Sequence, residues 1–203
     1  PELSFAIRQL KAQTGVVVTA SHNPRMYNGY KAYWDDGAQV IEPHDKGIIE
    51  EVNKVSEVKS MTKEEAIASG KLVMIDKEID DKFWDMCKAQ LFRPELIKEK
   101  AKDVRIVYTP LHGTGNVPVR RVLAELGFEN VYVVKEQELP DGNFPTVSYP
   151  NPEAAEAFAL GLKLAREVDA DLVLANDPDA DRLGVYVKDT KSGEYITLTG
   201  NMS

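Results

Sequence analysis

The chain has 203 residues, of which 43% are hydrophobic, enough for one large or two modest folded domains and too many for a wholly disordered protein. Its formal net charge of -8 does not favour binding to nucleic acid or to an anionic membrane surface. Because Cys87 is the single cysteine, an internal disulfide is excluded and secretion has no support. No signal peptide and no apolar run of the ~20 residues that a membrane span needs is present, so a cytoplasmic protein is predicted.

Both ends of the chain look internal to a longer protein. The chain begins at Pro1 without an initiator Met, and it stops at Ser203, just after the apolar stretch Tyr195 to Leu198. We therefore expect it to be a piece cut from a larger sequence.

Hydrophobic spacing and turn residues predict short alternating elements in the first part of the chain. The first elements are a helix over Leu3 to Ala12, a buried strand over Val16 to Thr19, and a short strand over Tyr30 to Tyr33 that returns through an Asp-Gly turn over Ala38 to Ile41. A helix over residues 45–58 follows, with Ile48, Ile49, Val52 and Val55 inward, and then a short helix that begins with a Thr62–Glu65 capping box and ends at Gly70. An apolar extended stretch over Leu72 to Ile75 leads to a helix over Ile79 to Leu91 with Phe83, Met86 and Cys87 inward.

From about residue 80 onward, predicted strands alternate with predicted helices. The strands are expected over Val104 to Tyr108, Val131 to Val134, Asp171 to Ala175 and Leu183 to Val187, and the helices over Pro118 to Leu126 and Glu153 to Val168. This alternation favours βαβ units and a mostly parallel sheet. The predicted fold class is therefore α/β, as two consecutive domains with mixed or mostly parallel sheets.

A serine follows the first predicted strand, in the sequence TASHNP over residues 19–24. The Asn-Pro pair is a turn signal, so Ser21 is expected at a strand-to-loop junction. Catalytic groups of layered α/β proteins are often held at such junctions. On local chemistry alone, a polar turn in which Ser21 has no function is the alternative.

Three aspartates alternate in the sequence NDPDADR, residues 176–182, directly after a predicted strand. Ligand sites of open α/β sheets lie at such carboxyl ends of strands. Pro178 disfavours a helix here, so Asp177, Asp179 and Asp181 can face one way. Converging carboxylates with only oxygen ligands predict a Mg²⁺ or Ca²⁺ site. A solvated acidic turn, or a phosphatase with Asp177 as its nucleophile, is the alternative.

A glycine-containing loop, His112-Gly113-Thr114-Gly115-Asn116, separates a predicted strand from a predicted helix. Such loops can bind phosphate at a helix N-terminus, and the spacing to Glu136 is typical of a dinucleotide site. However, Pro118 stands where the dinucleotide fingerprint has its third glycine. A tight strand-to-helix turn is therefore the favoured interpretation.

His22 and Lys31 are two further candidates for chemistry beside Ser21. Adjacent residues of an extended segment point to opposite sides, so no direct hydrogen bond between Ser21 and His22 is expected. His22 is expected to organise the loop or to contact substrate. Lys31 is expected to face a phosphoryl group or to take part in proton transfer, with an inert loop histidine and a surface lysine as the alternatives.

The serine segment, together with Tyr27-Asn28-Gly29-Tyr30-Lys31 and Asp36-Gly37-Ala38-Gln39, resembles the active-site segment of the alpha-D-phosphohexomutases, the phosphoglucomutase/phosphomannomutase family. The segments 108–116 and 176–184 follow in the order of that family. The resemblance covers nearly the whole chain and is greatest to the bacterial phosphoglucomutases.

The resemblance implies part of a four-domain architecture. Residues 1–78 would be the C-terminal part of the first domain, residues 79–196 the second domain, and residues 197–203 the truncated start of the third. The loops with which the family reads the sugar and binds the distal phosphate would lie outside these residues. We therefore expect the isolated chain to bind metal weakly and to have negligible mutase activity.

The family's functional residues map onto seven positions of this sequence. Ser21 would be the phosphoserine, and a Ser21 phosphoryl oxygen would share a Mg²⁺ ion with Asp177, Asp179 and Asp181. Arg182 would contact the phosphoryl group or the substrate. His22 and Lys31 would give acid–base or electrostatic help.

The implied reaction interconverts hexose 1-phosphate and hexose 6-phosphate. The expected partners are glucose 1-phosphate, glucose 6-phosphate and the intermediate glucose 1,6-bisphosphate, with neither nucleic acid nor membrane. The alternatives from other classes are the aspartate-nucleophile phosphatase and a non-catalytic metal-binding or partner-docking module.

Overall fold

A computed structural model describes residues 1–202, which form two compact units. The first unit comprises residues 1–17 and 30–86, and the second comprises residues 18–29 and 87–202. Within the described part of the chain, no helix has the length and apolar character needed to cross a bilayer. The domain boundaries expected from the family resemblance stay predictions.

Helices and strands follow the predicted order through most of the chain. Among residues 1–202 they are α1 (Glu2–Leu10), β1 (Thr14–Val18), β2 (Tyr30–Trp34), α2 (His44–Lys54), α3 (Lys63–Ala68), α4 (Lys77–Ala89), α5 (Pro94–Lys100), β3 (Arg105–Thr109), α6 (Asn116–Glu125), β4 (Asn130–Val133), α7 (Lys135–Glu138), a 3₁₀ helix (Ala155–Phe158), α8 (Ala159–Val168), β5 (Leu172–Asn176), β6 (Leu183–Lys188) and β7 (Tyr195–Leu198).

Two predicted extended stretches do not form strands. Within Ala38 to Ile41, Gln39 makes an isolated bridge with Tyr33, because the Asp36 side chain already accepts the Ala38 N–H at 2.8 Å. The stretch Leu72 to Ile75 forms neither helix nor strand. An apolar run without a 2- or 3.6-residue period carries too little information to fix either.

Side chains of α1 and α4 form the core of the first unit. Phe5, Ala6 and Ile79 are buried, and Phe83 packs edge-to-face on Phe5 with the ring centres 5.5 Å apart. The Thr62 capping box of α3 is formed as predicted, with both reciprocal hydrogen bonds present.

The predicted burial of β1 and α2 is wrong. Val16 and Val18 of β1 are 41% and 65% exposed, and α2 has no buried residue. A hydrophobic period indicates the type of an element, but burial also needs a surface to pack against. Beside α2, the first unit has an open groove lined by Trp34 and Pro43.

A five-stranded mixed sheet forms the second unit, in the order β4-β3-β5-β6-β7. Strand β3 is parallel to β4 and β5, whereas β5–β6 and β6–β7 are antiparallel. Helix α8 packs on β3 and β5, and a Cβ at Gly161 would come within 3.0 Å of Val173. Because β3 and β5 are parallel neighbours, the loops that follow them emerge side by side at one edge.

Candidate active site

The serine loop, residues 18–29, is closed at its base. Thr19 donates its N–H to the Gly29 carbonyl at 3.0 Å, and a Cβ at Gly29 would lie 2.0 Å from the Thr19 carbonyl oxygen. Only glycine permits this close approach. At the tip of the loop, Ser21 takes a left-handed conformation with φ 54°.

Ser21 lies at the acidic loop of the same unit. Its Oγ donates to Asp177 Oδ2 at 3.0 Å and lies 3.4 Å from Asp179 Oδ1, although these residues are more than 150 positions away along the chain. Thr19 Oγ1 accepts a hydrogen bond from the Ser21 N–H at 2.8 Å, and the Thr19 hydroxyl donates to Asp179 Oδ2 at 3.2 Å. The serine hydroxyl is therefore fixed from both its backbone and its side chain.

The expectation that Ser21 and His22 do not meet is wrong. His22 Nδ1 lies 3.2 Å from Ser21 Oγ. The reason is the left-handed backbone of Ser21, because alternation of neighbouring side chains holds only in extended segments. The His22 ring also packs edge-to-face on Tyr149, with 5.5 Å between the ring centres.

The three aspartates converge at the carboxyl end of β5. One carboxylate oxygen from each of Asp177, Asp179 and Asp181 lies within 4.8 Å of the others. Asp177 is fully buried and Asp181 is exposed, so the cluster opens from the protein interior towards solvent. The turn is fixed by the Arg182 N–H, which donates to Asp177 Oδ1 at 3.0 Å, and by a left-handed Ala180.

The negative charges of the three carboxylates repel one another. Burial, a hydrogen bond with Asp179 and the negative charges of Asp179 and Asp181 raise the pKa of Asp177 to about 7, against the opposing effect of the Arg182 N–H. A hard divalent cation would offset this repulsion, and it prefers oxygen ligands such as these. The donor set therefore fits a divalent metal ion bound by the three carboxylates.

Arg182 and Lys31 are the remaining predicted site residues. The Arg182 guanidinium lies 3.3 Å from a Glu153 carboxylate oxygen in an exposed ion pair. Lys31 lies in β2 and belongs to the first unit, whereas Ser21 belongs to the second. Their predicted contacts with a phosphoryl group stay predictions.

The glycine-containing loop forms a tight strand-to-helix turn, as the sequence predicts, and not a phosphate-binding loop. The N–H groups of His112, Gly113 and Thr114 donate to the carbonyls of Gln137, Pro110 and Pro178 at 3.0, 2.9 and 2.8 Å. Because these donors are already used, they do not present a binding site for an anion.

Sequence reasoning missed three parts of the site. Thr19 shares the serine segment and could have been singled out, since a threonine two residues before a serine can bond its N–H. The contacts of Tyr149 with His22, and of Thr114 with Pro178, join residues far apart in sequence, and no local pattern predicts them.

Comparison with known proteins identifies the family to which the chain belongs. The profile of phosphoglucomutase/phosphomannomutase alpha/beta/alpha domain I matches residues 1–59, and that of domain II matches residues 81–193. A phosphoribomutase of Saccharomyces cerevisiae is 40% identical over 99% of this chain and 34% of its own length. A phosphoglucomutase of Staphylococcus saprophyticus is 36% identical over 99% of this chain and 36% of its own length.

A solved structure shows the same fold. The crystal structure of a Thermus thermophilus protein, provisionally assigned as a phosphomannomutase, aligns with a TM-score of 0.74 and 26% identity over 96% of this chain and 40% of that one. The chain thus spans little more than a third of the length of the relatives it matches. With both profiles matched in order, the chain belongs to the phosphoglucomutase/phosphomannomutase family of phosphotransferase mutases.

Proposed function

We propose that the chain is the phosphoserine- and metal-binding part of a mutase that interconverts hexose 1-phosphate and hexose 6-phosphate, with glucose phosphates as substrates. The observation that carries the proposal is the contact of Ser21 Oγ with Asp177 Oδ2 at 3.0 Å, because a hydroxyl beside three carboxylates could carry a phosphoryl group next to the cation that they would bind. The choice of glucose rests on the similarity of the serine segment to bacterial phosphoglucomutases. The relatives include a phosphoribomutase, so the sugar is the part of the proposal that most needs testing.

The residues of the second unit suit a phosphoryl transfer through Ser21. As a substrate hydroxyl oxygen bonds to phosphorus, the bond from phosphorus to Ser21 Oγ breaks, and the proton that the substrate hydroxyl loses is balanced by the one that Ser21 Oγ takes up. His22 Nδ1, 3.2 Å from this oxygen, is placed to exchange that proton. Mg²⁺ held by Asp177, Asp179 and Asp181 would neutralise charge on the phosphoryl oxygens.

Arg182 would supply a further positive charge for the transferring group or the sugar phosphate, and the role that the family resemblance implies for Lys31 stays a prediction. The bisphosphorylated sugar formed in the first transfer must turn before it returns its other phosphoryl group to Ser21, and water must be kept away meanwhile. We expect neither this turning nor repeated turnover from the 203-residue chain alone. A cytoplasmic location and the lack of nucleic-acid partners stay part of the proposal.

A phosphatase with Asp177 as its nucleophile fits the geometry less well. Asp177 is fully buried, and its two oxygens accept hydrogen bonds from the Arg182 N–H and the Ser21 hydroxyl. A nucleophile needs an oxygen that faces the substrate phosphorus in line. The buried carboxylate is better suited to fix a cation and the serine.

Ser21→Ala is expected to remove the one phosphorylation site of the chain. After long incubation with glucose 1,6-bisphosphate and Mg²⁺, intact-mass analysis should show a single added phosphoryl group, and fragmentation should locate it at Ser21. The control Ser56→Ala removes an exposed serine of the other unit and should leave the label unchanged.

A hydroxylamine-sensitive label on Asp177 would instead support the phosphatase. If no label forms on either residue, the metal-binding module without catalysis becomes the better description. Turnover of glucose 1-phosphate by the isolated chain at ordinary enzyme rates would contradict the expectation that further domains are required.

A further inference from the structure

The glycine-containing loop after β3 lies directly against the acidic loop after β5. Thr114 donates both its N–H and its hydroxyl to the Pro178 carbonyl, at 2.8 and 3.1 Å. A Cβ at Gly113 would lie 2.3 Å from Pro178 Cα and 2.4 Å from its carbonyl oxygen. The backbone between Asp177 and Asp179 therefore rests on the backbone of the neighbouring loop, with no room for a side chain between them.

A buried polar network holds the glycine-containing loop in this position. His112 Nε2 lies 2.8 Å from Thr146 Oγ1, and Gln137 Nε2 donates to the same oxygen at 3.0 Å. Thr109 Oγ1 donates to Gln137 Oε1 at 2.7 Å, and both of these residues are fully buried. Buried networks in which every member has a partner are rigid, because breaking one bond leaves a desolvated polar group.

The loop also holds an unfavourable backbone conformation. Leu111 and His112 are consecutive residues with left-handed φ values of 46° and 60°. Non-glycine residues keep such a conformation only where their surroundings determine it. Here the strained turn brings Gly113 against Pro178. The buried network therefore holds the two loops in contact.

We infer that Gly113 and Thr114 are positioning residues for the metal site: they fix Pro178 and thereby set the spacing of the Asp177 and Asp179 carboxylates. This inference rests on the proposed cation site of the acidic loop. Mg²⁺ demands nearly ideal octahedral geometry at short distances, whereas Ca²⁺ accepts flexible coordination at longer ones. A rigid support under the acidic loop would thus favour Mg²⁺ over Ca²⁺.

Gly113→Ala is expected to lower the Mg²⁺ affinity of the 203-residue chain by about tenfold or more, as loss of supporting residues does at other metal sites. Affinity for Ca²⁺ should fall less, so the preference for Mg²⁺ over Ca²⁺ should shrink. Titration calorimetry with each cation alone, well below the unfolding temperature, measures both. Gly142→Ala is the matched control, because a Cβ there would meet nothing within 4 Å.

Thr114→Val provides a second test that keeps the shape of the side chain, since a methyl group replaces the hydroxyl that donates to Pro178. It should lower Mg²⁺ affinity more than Ca²⁺ affinity, and Thr114→Ser should restore both. If either variant loses stability but keeps the wild-type ratio of the two affinities, the loop is merely structural and the inference is wrong. Unchanged affinities in both variants would overturn it while leaving the proposed cation site intact, whereas a wild-type chain that binds neither cation would overturn both.

Discussion

Asp177→Asn is expected to stabilise the metal-free protein at pH 8 and to abolish its response to Mg²⁺. The pKa of Asp177 is raised to about 7 because the carboxyl is buried beside Asp179 and Asp181. The folded state thus keeps a proton that the unfolded chain releases near its ordinary value of 3.8. The stability due to this proton is complete below that value and is lost as the pH rises through about 7.

The asparagine variant avoids this loss because it carries no charge. Its side chain can still accept the Arg182 N–H with its oxygen and donate to Asp179 with its nitrogen. At pH 8 we expect the variant to gain on the order of 2–4 kcal/mol in the free energy of unfolding relative to the metal-free wild type.

Urea unfolding with a chelator, repeated between pH 4 and pH 8, measures this effect, because the stability is lost between the ordinary value of 3.8 and the raised pKa of about 7. Asp103→Asn is the matched control, because it removes the same charge from an exposed position of the same unit and should leave the pH dependence unchanged. Addition of Mg²⁺ should stabilise the wild type and the control by mass action but leave Asp177→Asn unaffected. If the free energy of unfolding depends on pH in the same way for the wild type and for Asp177→Asn, the pKa of Asp177 is not raised in the folded protein.

Asp179→Asn and Asp181→Asn are each expected to weaken Mg²⁺ binding by about a hundredfold, because ligand charge largely sets the affinity of an oxygen site for a divalent cation. Each carboxylate contributes an oxygen within 4.8 Å of the other two. Calorimetric titration at pH 8 measures the change, with Asp103→Asn again as the control of equal charge. Affinity for Mg²⁺ that survives in all three triad variants would place the cation elsewhere in the chain.

The stability of the two variants should differ, since Asp179 is half-buried and Asp181 is exposed. Removing the Asp179 charge relieves the repulsion on Asp177, which raises stability, but it also changes the group that accepts the Thr19 hydroxyl, which lowers stability. The two effects on stability therefore partly cancel. Replacement of Asp181 should relieve the repulsion that its charge exerts on the buried Asp177 carboxylate. Urea unfolding of the two variants without metal at pH 8 measures the difference.

Local patterns predicted the elements and the site residues that depend on short spacing. The alternating aspartates around Pro178 led us to expect three converging carboxylates, and they do converge. The reason is a turn and not an extended segment, because Ala180 is left-handed and its N–H donates to the Asp177 carbonyl at 2.9 Å. The β3 and β5 strands were predictable from their apolar runs. Their parallel pairing followed from the helices between them.

Features that depend on tertiary contact could not be predicted in this way. The left-handed Ser21, which brings His22 to its hydroxyl, is held by Thr19 and by carboxylates more than 150 positions away. The approach of Gly113 to Pro178 joins two loops that share no sequence pattern. The exposure of Val18 and of α2 depends on what surface lies opposite, which a hydrophobic period does not encode.

The central claim, that Ser21 and the three aspartates share one cation, is tested most directly by phosphorus resonance. The chain would be made with phosphoserine at position 21 and titrated with Mn²⁺, a paramagnetic substitute for Mg²⁺. One equivalent of Mn²⁺ is expected to broaden the phosphoserine line beyond detection in the wild type and in Asp103→Asn, while the line stays sharp in Asp179→Asn. A sharp line in the wild type at saturating bound Mn²⁺ would show that the serine phosphate and the cation do not meet.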